Sequence, residues 1–85
     1  MYDYPLNSYW STEEIIDVMA LYNAVEQAYE EGISKEDFMK CYKRFLEIVD
    51  SKSEQKQINQ AFEDASHYSI YKVFQKSKET DWIEM

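Results

Sequence analysis

From Ser11 onward the apolar residues of this chain recur at helical spacing. Ile15, Val18, Tyr22, Val25 and Tyr29 step by 3, 4, 3 and 4, and Met19, Leu21 and Ala28 widen the stripe. Ser11 with Glu14 has the spacing of a capping box, so a first helix is predicted from about Thr12 to about Glu31. Gly32, the chain's one glycine, follows as a left-handed stop. A second helix starts at once, with Ser34 as N-cap, Asp37 three residues on, and Ile33 and Phe38 at the two positions of a hydrophobic staple. Its apolar positions, Phe38, Met39, Cys41, Tyr42, Phe45, Leu46, Ile48 and Val49, spread over about half of the helical wheel. A face that wide needs more than one neighbour, which makes this helix, about 35–50, the expected centre of the fold.

Ser51 and Glu54 repeat the capping spacing and open a third helix that is predicted to bury Ile58, Ala61, Phe62 and Ala65. The run Ser66-His67-Tyr68-Ser69 breaks the period. Ser69 then caps a shorter segment carrying Ile70, Val73 and Phe74. Periodicity alone leaves open whether the third and fourth segments are separate or one kinked helix. Residues 1–10 have no period and read as an aromatic arm of Tyr2, Tyr4, Tyr9 and Trp10 around Pro5, more a cover for the core than a binding site. Residues 79–85 read as an acidic tail that frays or clips onto the surface. The prediction is a single all-α domain over 1–85, an irregular bundle of about four helices.

Composition narrows this in two ways. With 14 aromatics the 85-residue chain is too rich in large apolar groups to be disordered, despite a net charge of −8. One cysteine, no basic leader and no apolar run long enough to span a bilayer point to the cytoplasm. The charge is also uneven. Residues 1–33 hold seven acids and no base, residues 34–78 hold seven acids and all nine bases, and the tail adds Glu79, Asp81 and Glu84. The excess of acids thereby disfavours both membrane surfaces and nucleic acid as partners, since both are anionic.

Several blocks together resemble the UPF0223 family of small uncharacterised bacterial proteins: Tyr4-Pro5-Leu6, Trp10-Ser11-Thr12-Glu13-Glu14-Ile15, residues 23–30, residues 51–56, and Tyr68-Ser69-Ile70-Tyr71. The resemblance covers nearly the whole chain. It implies a compact, irregular bundle of about four helices and a cytosolic protein of Gram-positive bacteria, and it brings no activity. Members of the family tend to have Gly where this chain has His67.

Candidate chemistry is sparse. Glu63, Asp64 and His67 could share one helical turn, but a single His gives at most half of a carboxylate-bridged metal site, and an end-of-helix role for His67 is the simpler reading. Cys41 lies between Phe38 and Phe45 and should behave as a small hydrophobe with a raised pKa. No phosphate loop, serine elbow or paired cysteine motif is present, so neither an enzyme nor a cofactor is expected.

The outer face of the first helix is the candidate partner surface. Ile16, Ala20, Asn23 and Gln27 recur there at steps of 4, 3 and 4, with Glu13, Asp17 and Glu31 on one side and Glu26 and Glu30 on the other. That segment has no base to neutralise its acids, and a basic partner helix would supply one. A non-catalytic interaction or regulatory module, binding a protein with a basic surface, is the reading adopted. A second copy of the chain is a further partner that wide apolar faces suggest. The alternative is a nucleic-acid-associated factor using Lys40, Lys43, Arg44, Lys72 and Lys76.

Overall fold

Serine opens every helix. Ser11, Ser34, Ser51 and Ser69 stand as N-caps, each side chain accepting the backbone N–H three residues on, from Glu14, Asp37, Glu54 and Lys72. The computed structural model describes residues 4–85, in the order α1 (Thr12–Glu30), β1 (Ile33–Ser34), α2 (Lys35–Ile48), α3 (Lys52–Ser66), α4 (Ile70–Ser77) and β2 (Trp82–Ile83). At α1 the Glu14 carboxylate also accepts the Ser11 N–H at 2.8 Å, which completes the capping box.

Helix α1 stops where the glycine allows it to. The N–H groups of Glu31 and Gly32 both donate to the Gln27 carbonyl, at 2.8 and 2.6 Å, and Gly32 takes φ 100°. The Gln27 side-chain amide donates to the Gly32 carbonyl at 3.2 Å, so this residue of the expected partner surface also helps to end the helix. Ile33 and Phe38, on either side of the Ser34 cap, are both buried.

A single cluster of buried side chains joins all the elements. Its aromatic centre is Tyr22 of α1 stacked on Phe62 of α3, with ring centroids 4.7 Å apart. From α1 the core takes Val18, Leu21, Tyr22, Val25 and Ala28 as the spacing predicts. Ala24 joins them, while Ile15 and Tyr29 are only half-buried. Helix α2 packs mainly on α1, and its wide face is shared out: Phe38 and Phe45 are fully inside, whereas Tyr42 is half-buried against Phe74 of α4 at 4.6 Å. In α3 the expected stripe is corrected. Ala61 is exposed and Ala65 half-buried, and the buried line is Ile58, Phe62 and Ser66, at strict i,i+4 steps. A serine can hold the last of these positions because its hydroxyl donates to the Phe62 carbonyl at 2.7 Å.

Helices α3 and α4 are separate. His67 adopts φ 68°, its N–H donates to the Glu63 carbonyl at 2.7 Å, and Ser69 restarts the chain as a new cap. The left-handed position is held here by a histidine.

The tail does not fray. β2 pairs antiparallel with β1, Ile83 opposite Ile33 and Trp82 opposite Ser34, and Ile83 has no exposed surface. Flanking bonds run from the Lys35 N–H to the Asp81 carbonyl at 2.8 Å and from the Met85 N–H to the Ala28 carbonyl at 3.0 Å. The physical reason is the short link between α1 and α2, whose backbone groups need partners that neither helix supplies. Strand alternation then turns Ile83 inward and Trp82 outward.

Tyr4 and Trp10 of the arm lie on the core, whereas Leu6 and Tyr9 are exposed, and the reading of Tyr2 lies outside the described residues. Tyr4 packs edge-on against Tyr22 at 5.4 Å and against Phe62 at 5.0 Å, the Tyr22 hydroxyl donates to the Pro5 carbonyl at 2.6 Å, and Trp10 is buried. Asn7 and Tyr9 both donate to the Glu54 carboxylate, which ties the arm to the start of α3.

Candidate functional site on the outer face of the first helix

Ile16 is the residue that marks this face. It stays 61% exposed, because the arm crosses α1 on the side of Tyr22 and Glu26. Along the same face Asn23 and Gln27 are exposed and Ala20 is half-buried. The result is a shallow seam with one branched aliphatic side chain at its N-terminal end.

The acids beside the seam fall into two groups. Glu13 and Glu31 are exposed and have no ion-pair partner among the described residues. The other three are engaged from within. Asp17 accepts the Arg44 Nε–H at 2.8 Å, Glu26 accepts the Tyr4 hydroxyl, and Glu30 accepts the Tyr68 hydroxyl at 2.8 Å. The first helix has no base of its own, as the sequence shows, but Asp17 is neutralised from another element. Arg44 reaches across from α2, and its guanidinium pKa is raised by the Asp17 hydrogen bond, a base invisible from the first helix alone.

The basic residues do not gather in one stripe. Lys40 and Lys43 line a shallow cavity of about 680 Å³ together with Lys35 and Asp81, and Lys40 lies 3.9 Å from Glu36. Lys72 lines a second groove, of about 730 Å³, with Lys52 and Lys56. Arg44 is in the seam between α1 and α2, and Lys76 is in neither cavity.

Cys41 is half-buried on α2, and burial, followed by Asp37 and Asp17, pushes its thiol pKa up. His67 is exposed at the end of α3, as are Glu63 and Asp64, and Asp64 accepts the Gln60 amide at 2.9 Å. No three His, Cys, Asp or Glu side chains are placed to hold a metal ion among the described residues.

One feature was not anticipated from the sequence. The 730 Å³ groove lies between α3 and α4 with Tyr42 of α2 at its border, and it is lined by Lys52, Gln55, Lys56, Asn59, Gln60, Glu63, Ser69, Tyr71, Lys72 and Gln75. Asn59 has its amide oxygen buried with no hydrogen-bond partner among the described residues. The available signal was the polar spacing 52, 56, 59, 63, a helical stripe in its own right.

No described helix is long and apolar enough to cross a membrane. A family model described as an uncharacterised protein family, UPF0223, matches residues 1–84. A UPF0223 protein of Bacillus cytotoxicus is 49% identical over 80 residues, covering 94% of this chain and 90% of the relative. The UPF0223 protein YktA of Bacillus subtilis is 45% identical, over 94% and 91% of the two chains, and a Staphylococcus haemolyticus relative is 49% identical, over 91% and 86%. With its four capped helices and a match from end to end, this chain belongs to the UPF0223 family.

Proposed function

We propose that this protein is a non-catalytic interaction module that offers the outer face of α1 to a partner protein with a basic surface. The observation that carries the reading is the 61% exposure of Ile16 beside Glu13 and Glu31, two carboxylates with no ion-pair partner among the described residues. An exposed aliphatic anchor with charges at its edge suits a partner helix: the anchor gives buried area, and the charges give orientation and a faster encounter. A second copy of the chain is a poor occupant of this face, because a two-fold contact would set the same carboxylates against their own copies. The reading places the encounter in the cytoplasm.

The test is affinity capture with the full chain as bait, repeated with Ile16→Ser and with the double reversal Glu13→Lys, Glu31→Lys. These sites are exposed, so the variants should fold, and circular dichroism checks that they do. Loss of a basic partner from both variants, with salt-sensitive capture by the parent, supports the reading. Retention of the same partners by both variants overturns it.

A further inference from the structure

The groove between α3 and α4 carries positive charge on a protein whose net charge is −8. Its lining holds three lysines, Lys52, Lys56 and Lys72, against the single carboxylate of Glu63. Lys52, Lys56, Asn59 and Glu63 follow one another at 4, 3 and 4 residues on α3 and so share a face. From Lys56 to Glu63 that face runs about 10 Å along the helix axis. Tyr71, on α4, is 54% exposed at the same groove.

We propose that this groove is a binding site for a small phosphorylated ligand with a planar ring, of the nucleoside monophosphate class. Two observations select that chemistry. First, the two lysines one turn apart on α3 lie near its N-terminal end, where the helix dipole also favours an anion. Second, Tyr71 presents a half-exposed ring to the groove, a platform on which a base stacks. The volume of about 730 Å³ lies within the range of small-molecule sites.

Charge decides between a small anion and a polynucleotide. A nucleotide senses the lysines within about one Debye length, roughly 8–10 Å at moderate salt. A long polyanion would extend past them toward a surface whose acids outnumber its bases, 17 to nine. The site is independent of the α1 face and goes beyond the function proposed above, so either can fail without the other.

The experiment is a titration of 15N-labelled full chain with the four ribonucleoside 5′-monophosphates, ribose 5-phosphate and inorganic phosphate, each added separately. A nucleotide should shift amide resonances of residues 52–63 and 69–75 and leave those of α1 in place. Lys56→Gln and Lys72→Gln, both at exposed positions, should each weaken it about tenfold. Tyr71→Ala should weaken the nucleotide about fivefold or more without changing the response to ribose 5-phosphate. The proposal is overturned if no nucleotide shifts these residues, or if inorganic phosphate and ribose 5-phosphate bind as tightly as the nucleotide. It is also overturned if only a single-stranded oligonucleotide binds, with shifts spreading to Lys40 and Lys43.

Discussion

The indole of Trp82 lies against the backbone of Gly32, with its Nε1 2.7 Å from where a Cβ on Gly32 would stand. The glycine is therefore demanded twice, by its φ of 100° and by the ring laid over it. The C-terminal strand and the end of α1 specify each other through this contact. Gly32→Ala is expected to cost about 1–3 kcal/mol, from strain and overlap together. Thermal unfolding of Gly32→Ala, Trp82→Ala and the double variant separates the two causes. Coupling is expected, since truncating the ring relieves the overlap and leaves the strain. Strictly additive losses would mean that the ring does not oppose a Cβ.

Ile83 is two residues from the end of the described chain, yet it is wholly buried opposite Ile33. Ile83→Ala should lower stability by about 2–5 kcal/mol, as for any core isoleucine. A loss below half a kcal/mol in chemical denaturation would mean that the tail is peripheral after all.

His67 holds a left-handed conformation that costs a residue with a Cβ roughly 1–2 kcal/mol. Its side chain is exposed. His67→Gly should therefore raise the melting temperature, whereas His67→Gln should leave stability and any binding nearly unchanged. A stably folded His67→Gln protein that loses partner binding would contradict the purely structural role.

Burial is the main cause that raises the Cys41 thiol pKa, with Asp37 and Asp17 adding to it. A raised pKa keeps the thiol protonated, and only the thiolate attacks an alkylating reagent. Native protein should thus react more slowly than unfolded protein at neutral pH, and the gap should narrow as pH rises. The folded state holds this proton more tightly than the unfolded state, so the stability linked to it is present below the thiol's ordinary pKa and lost above it. Equal labelling rates for native and unfolded protein at neutral pH would place Cys41 in open solvent.

Much of the fold was legible because it is written in local rules. Four serines with a backbone N–H three residues on define four helix starts, and the stop at Gly32 needs only the conformational range of glycine. What stayed hidden depends on distant pairs. The β1–β2 ribbon joins positions 50 residues apart in sequence, Ile33 with Ile83, and no periodicity signals a two-residue strand. Ser66 replaces Ala61 and Ala65 in the α3 stripe because a hydroxyl bonded to its own helix can be buried, which an apolar count overlooks. In the candidate site the exposure of Ile16 followed from the pattern, but the Arg44–Asp17 pair spans two helices and could not be read from either. The α3–α4 groove needed the crossing of two polar faces, each of which looks like an ordinary solvated surface when taken alone.

The measurement that bears most directly on the proposed function is site-specific photo-crosslinking. A benzoylphenylalanine replaces Ile16 in one protein and Ala61, exposed on α3, in another, and both are irradiated in native cell extract. The account predicts an adduct with a basic protein from position 16 only. That adduct should fade as salt is raised and vanish when Glu13 and Glu31 are reversed to lysine. Equal adducts from positions 16 and 61, or an adduct at 16 indifferent to salt and to charge reversal, would contradict it.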